Sequence, residues 1–158
     1  MAFNFHLSSL NVRGLSDTFK RRSIFNWLRK FHHGICFLQE THSTPDIEGV
    51  WKSEWGAKIY FDHGASNSRG FAVLIPENLD CVVQSEIKDH DGRFIILDTI
   101  IDSVRFFLIN VYAPTKNFEK EQLKFLDNLY EHVADNSGES LIIGGDFNTI
   151  MDQIGRAS

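Results

Sequence analysis

Apolar and polar positions alternate loosely across residues 3 to 10, the period-two pattern of a strand. The run ends at Asn11-Val12-Arg13-Gly14, where the glycine marks a turn. The period then changes. Ile24, Trp27, Leu28 and Phe31 follow i, i+3, i+4, i+7, one buried stripe of a helix that Ser16 or Asp17 can cap and Gly34 stops. Ile35-Cys36-Phe37-Leu38 is apolar without alternation, as in a strand covered on both faces, and it delivers Gln39-Glu40-Thr41-His42 to its end. Thr44-Pro45-Asp46 reads as cap, first-turn proline and first-turn acid of a short helix burying Ile47, Trp51 and Trp55. The middle of the chain predicts antiparallel strands at 57–62, 70–75, 80–88, 93–100 and 104–112, with Asp91-Gly92 as a hairpin turn. Asn117 can cap a helix to about Ala134, with Gln122, Leu126, Leu129 and Val133 inward and Phe118 and Leu123 flanking. Gly138 ends the link to a last strand at 140–146. Early strands, a central meander and a few covering helices predict layered α/β packing.

Composition narrows the class. The 158 residues suit one domain, and 42% hydrophobic with 23% charged residues are ordinary globular values. Two cysteines make no disulfide scaffold, and a reducing compartment is expected. The start lacks a signal peptide's basic and apolar regions, and no apolar run approaches bilayer length, so the expectation is a soluble, intracellular protein. A net charge of −5 excludes a polycation. Residues 13 to 30 nevertheless hold six basic side chains and one acid, an excess that fits either a phosphate backbone or a solvated helix face.

Candidate chemistry sits at strand ends. Leu141-Ile142-Ile143-Gly144-Gly145-Asp146-Phe147-Asn148 carries a buried strand into a carboxylate and an amide two residues apart, hence expected on one face. The carboxylate can take a proton from water, and the amide can hold that water or a developing oxyanion. Asn11 follows the first strand, Glu40 the second, and Tyr112 ends the strand before Ala113-Pro114. Magnesium favours few protein ligands, hard oxygens and retained waters, so Glu40 is a sensible ligand and Asn11 a helper. Tyr112 can donate to a phosphate oxygen. Taken singly, each also fits a plain role as turn residue, cap or core aromatic.

The ordered set Ser9-Leu10-Asn11-Val12-Arg13-Gly14, Phe37-Leu38-Gln39-Glu40-Thr41-His42, Ile109-Asn110-Val111-Tyr112-Ala113-Pro114 and Gly144-Gly145-Asp146-Phe147-Asn148 resembles the successive motifs of the endonuclease/exonuclease/phosphatase superfamily. Gln-Glu-Thr-His, Val-Tyr-Ala-Pro-Thr, Ser68-Arg69-Gly70-Phe71 and Asp91-Gly92-Arg93-Phe94 are most similar to the endonuclease domain of LINE-type (non-LTR) retrotransposons. The resemblance implies a DNase-I-like four-layer α/β sandwich with the site at one end. It implies Glu40 as a Mg²⁺ (or Mn²⁺) ligand, Asn11 beside that metal and Tyr112 on phosphate. Asp146 would act on the attacking water, and Asn148 would hold the transition state. DNA would be the substrate, nicked to leave a 3′-hydroxyl, with Arg13, Lys20, Arg21, Arg22 and Arg69 as candidate phosphate contacts. Nuclear localisation is implied in the same way.

The family's domain continues beyond the motifs present here to a closing Ser-Asp-His. Residues 1–158 are therefore expected to be its N-terminal part, roughly two thirds, incomplete at the C-terminus and of impaired or no activity alone. None of the seven histidines takes the closing position, and His42 is read as a surface or supporting residue. The strand at 140–146 is expected to leave an open edge suited to self-association. Two alternatives stay open: a non-catalytic retrotransposon remnant, and a phosphoinositide-type phosphatase of the same superfamily.

Overall fold

The computed structural model describes residues 5–31, 34–64, 69–89, 92–114, 119–135 and 140–148. The expected Asn117 cap, the Phe118 contact, Asp91 of the hairpin turn, Ser68, Thr115 and Gly138 lie outside these residues. Among the described residues the strands are β1 (Leu7–Asn11), β2 (Ile35–Gln39), β3 (Lys58–Asp62), β4 (Phe71–Ile75), β5 (Cys81–Lys88), β6 (Phe94–Ile101), β7 (Val104–Tyr112) and β8 (Ser140–Asp146). The helices are α1 (Thr18–Phe31), α2 (Glu48–Trp55, preceded by a 3-10 turn at Pro45–Ile47) and α3 (Glu119–Ala134).

These strands form two four-stranded sheets, ordered β1-β2-β4-β3 and β5-β6-β7-β8. Side-chain alternation explains why they stack. In β2, Cys36 and Leu38 face a layer with Phe25, Leu28, Trp51 and Trp55 of α1 and α2, while Ile35 and Phe37 face the other sheet. In β6, Ile95 and Leu97 meet them between the sheets, while Phe94 and Ile96 face Phe125 and Leu129 of α3. Three apolar layers thus separate four structural layers, and the runs without alternation are the strands covered on both faces. Each fully buried Phe or Leu contributes about 1.5–3 kcal/mol.

Two helix faces differ from the periodicity reading. In α1 the buried stripe is Arg21, Phe25 and Leu28, whereas Trp27 and Phe31 are 46% and 60% exposed. Phe25 wins because it packs edge-on against Trp55 and Trp51, with ring centroids 5.8 and 6.4 Å away. In α3 the inner residues are Phe125 and Leu129, and Leu126 is half exposed. Gln122, Phe125, Leu129 and Val133 fit a helical stripe as well as the set containing Leu126, and contact with Phe94 selects Phe125. Asp17 does cap α1, its Oδ1 accepting the Lys20 N–H at 2.7 Å.

Arg21 occupies the third stripe position because Glu54 of α2 meets it. Its Nε and Nη2 donate to the two Glu54 oxygens at 2.6 and 2.9 Å, and Nη1 donates to the Leu15 carbonyl at 2.9 Å. The Arg21 guanidinium holds the Glu54 carboxyl below the usual glutamate range, with a smaller pull from Arg22. A depressed folded pKa contributes stability above the unfolded value and loses it as pH falls through the folded one. The urea midpoint is therefore expected to drop as pH falls below about 4.3, and this acid limb should shrink in Glu54→Gln.

Candidate active site

Strand direction assembles the site. β1 and β2 are parallel with Asn11 opposite Gln39, so both release the chain at the same end of their sheet. β7 and β8 are parallel with Tyr112 opposite Asp146, so the second sheet does likewise. β1 faces β8 and β2 faces β7 across the sandwich, bringing these ends together.

Four hydrogen bonds then order two groups, Asn11–Asp146–Asn148 and Tyr112–Glu40. Asn11 Nδ2 donates to Asp146 Oδ2 at 3.2 Å. Tyr112 OH donates to Glu40 Oε1 at 2.8 Å. The Asn148 backbone N–H donates to Asp146 Oδ1 at 2.9 Å, and its side-chain Nδ2 donates to the Ala113 carbonyl at 2.7 Å. Contrary to the strand periodicity, Asp146 and Asn148 do not share a strand face. β8 ends at Asp146, and Asn148 lies past it with φ 46°, drawn back by the Asp146 carboxylate rather than by strand alternation.

Gly145 lets this strand end approach β7. Its φ is 134°, and a Cβ there would lie 2.1 Å from the Val111 carbonyl oxygen. Glu40 also takes left-handed backbone, φ 54°, held by the Gly14 N–H on its carbonyl at 2.6 Å.

Burial first, and then the Glu40 carboxylate, push the Tyr112 phenol above its ordinary range; the Asn148 amide pulls the other way and Asp146 adds to the rise. The phenol therefore remains a donor throughout the neutral range. Glu40, Asp146 and the two amide oxygens are hard donors. Among the described residues no three His, Cys, Asp or Glu side chains converge on one point. This oxygen set fits a small hard cation that keeps waters and takes substrate oxygen, and Glu40 and Asn11, whose Oδ1 also accepts the Arg13 N–H at 3.1 Å, are the residues that would hold it.

Two polar residues beneath the site carry no role in the sequence reading. Gln39 and Asn110 are 1% and 0% exposed. Asn110 Nδ2 donates to the carbonyls of Leu38 at 3.0 Å and Ala72 at 3.1 Å, and its Oδ1 accepts Gln39 Nε2 at 2.9 Å. This bridge bolts one sheet to the other directly behind Glu40 and Tyr112. A polar residue inside an apolar strand was the available signal, since a buried amide needs partners.

The basic candidates separate. Arg13 is exposed just past β1. Lys20 Nζ is tied to the Val12 and Arg13 carbonyls at 2.8 and 3.2 Å, bracing the same loop. Arg22 is solvent-facing, 3.5 Å from Glu54. Arg69 presents its carbonyl to the His42 N–H and lines a cavity of about 350 Å³ with Arg93 and Lys124. Arg21 leaves the group: at 4% exposure, committed to Glu54, its guanidinium cannot reach a surface ligand.

A sequence profile of the Endonuclease/Exonuclease/phosphatase family matches residues 8–158. The "Transposon TX1 uncharacterized 149 kDa protein" of Xenopus laevis is 34% identical over 147 residues, which are 92% of this chain and 11% of that protein. TDP2 from C. elegans superposes with a TM-score of 0.66 at 23% identity, covering 98% of this chain and 51% of its own. An AP endonuclease from Archaeoglobus fulgidus gives 0.68 at 21% identity, over 98% of this chain and 62% of its own. D. rerio TDP2, complexed with a single-strand DNA product, gives 0.68 at 18% identity, over 94% and 62%. At these identities the three structures speak for the fold. The profile spans nearly the whole chain, and on that ground the protein belongs to the endonuclease/exonuclease/phosphatase family.

Proposed function

We propose that this chain is the N-terminal part of a transposon-encoded, magnesium-dependent DNA endonuclease that nicks one strand to leave a 3′-hydroxyl. The convergence at one sheet end of two hydrogen-bonded groups, Asn11–Asp146–Asn148 and Tyr112–Glu40, carries this reading. The transposon relative and the DNA product bound by one structural neighbour support the substrate class. The chain spans only part of its relatives, which supports treating it as a portion of a longer domain.

In this reading Asp146 orients a water and accepts its proton as the oxygen attacks phosphorus and the P–O3′ bond breaks. Asn11 keeps that carboxylate aimed through its 3.2 Å hydrogen bond. The second Asn148 amide hydrogen is a neutral donor for the non-bridging oxygens, where charge grows, and Tyr112 becomes another when its O–H turns from Glu40 to phosphate. Glu40, with Asn11, would hold Mg²⁺, which when bound neutralises phosphate charge and favours departure of the leaving oxygen. Arg13, whose N–H donates to Asn11, and Arg69, whose carbonyl accepts the His42 N–H, are candidate backbone contacts, and binding through them should weaken with salt.

The test is nicking of supercoiled plasmid by the longer domain of which this chain is proposed to be a part, since residues 1–158 alone are expected to have impaired or no activity. Cleavage should require Mg²⁺, stop with chelator, and fall by about 10²-fold or more in Glu40→Gln. Undiminished nicking by that variant would overturn the reading. Release of phosphate from inositol phosphates without nicking would transfer the site to small phosphoesters.

A further inference from the structure

The segment that carries Glu40 leaves β2 in strained backbone. Glu40 and His42 have φ of 54° and 55°, a conformation that costs a non-glycine residue about 1 kcal/mol or more. Backbone bonds hold both flanks. Leu15 N–H donates to the Thr41 carbonyl at 3.0 Å, while Thr41 and His42 N–H donate to the Gly70 and Arg69 carbonyls at 3.2 and 2.9 Å.

Beneath it runs a chain of side chains. Thr41 Oγ1 lies 3.0 Å from Ser43 Oγ, Ser43 Oγ lies 2.8 Å from His63 Nδ1, and His63 Nε2 lies 2.6 Å from Glu48 Oε1. The chain runs from the first turn of α2, past the end of β3, to the residue after Glu40. With its proton on Nε2, His63 donates to Glu48 and accepts from Ser43, which accepts in turn from Thr41. Its ring stacks on Phe61 at 5.3 Å. Glycine at position 70 leaves room, since a Cβ there would lie 2.5 Å from Thr41 Oγ1.

A serine, histidine and glutamate in this order resemble a hydrolytic triad, but Ser43 is 3% exposed and no substrate reaches its hydroxyl. Orientation is what the chain can supply. We propose that Ser43, His63 and Glu48 are positioning residues that hold the strained Glu40–His42 turn and thereby aim the Glu40 carboxylate. The proposal rests on Glu40 being the metal ligand.

The experiment measures Mn²⁺ affinity by electron paramagnetic resonance and amide hydrogen exchange by NMR in the full chain. Ser43→Ala and His63→Phe are expected to weaken Mn²⁺ binding about tenfold or more, as loss of a ligand's supporting partner does. Exchange at Thr41 and His42 should quicken while Ile96 in β6 keeps its rate. Glu48→Gln, whose amide oxygen still accepts the Nε2 hydrogen, should stay close to wild type, and Glu48→Ala should fall with the others. Unchanged Mn²⁺ affinity in Ser43→Ala and His63→Phe, with affinity lost in Glu40→Gln, overturns the proposal. Affinity retained in Glu40→Gln instead removes the metal role of Glu40. Unchanged exchange at Thr41 and His42 in the variants overturns the relay whatever the metal result.

Discussion

Asp146→Asn is expected to slow Mg²⁺-dependent nicking by about 10³-fold, within the range that a positioned general base contributes. The substitution keeps size and an acceptor for the Asn148 N–H but removes the charge and proton affinity that water activation needs. It also sets an NH₂ group against Asn11 Nδ2, where the carboxylate now accepts at 3.2 Å. The exchange Asn11→Asp/Asp146→Asn separates the two effects. It restores a donor–acceptor pair and the net charge while moving the base to β1. The double variant should regain the stability lost in Asp146→Asn and remain inactive in the plasmid assay. Activity recovered by the exchange would mean that charge in the cluster matters and its place does not.

The largest expected stability effect lies outside the cluster. Arg21→Leu should cost about 3 kcal/mol, the low end for breaking a buried pair, because the Glu54 carboxylate, 9% exposed, then keeps only Arg22 at 3.5 Å. That is a large share of the roughly 5–15 kcal/mol that holds a domain together. Arg21 also ties Leu15 and Ser16 to the start of α1 and lies over the Trp51 ring at 5.2 Å, so the loop after β1 should loosen too. Urea unfolding measures the loss. Arg21→Leu/Glu54→Leu should recover most of it, since apolar residues can replace a buried pair with little penalty. A loss below about 1 kcal/mol in Arg21→Leu would place the pair among ordinary surface bridges. DNA affinity and its salt dependence should be unaltered in the double variant, in contrast to Arg13→Ala.

Much of the fold was legible because its signals are local. A period of two or of 3.6 shows in a short window, and the strand and helix limits from Leu7 to Asp146 follow it closely. The Asp17 cap, the doubly covered Ile35–Leu38 run and the polar residues closing β1, β2, β7 and β8 could likewise be read from the chain. Periodicity does not choose between neighbouring positions, and so Leu126 stood where Phe125 packs. Nor does it see a charge inside a stripe, since Arg21 is buried only by virtue of Glu54, 33 residues later.

The sequence by itself determined which residue types end each strand; the tertiary structure decided which of them meet. Asn11 and Asp146 are 135 positions apart and touch because two parallel strand pairs face each other across one core. The Gln39–Asn110 bridge and the Ser43–His63–Glu48 chain arise in the same way. A hydrogen bond between distant residues depends on strand order and sheet spacing, and no short window of sequence contains either.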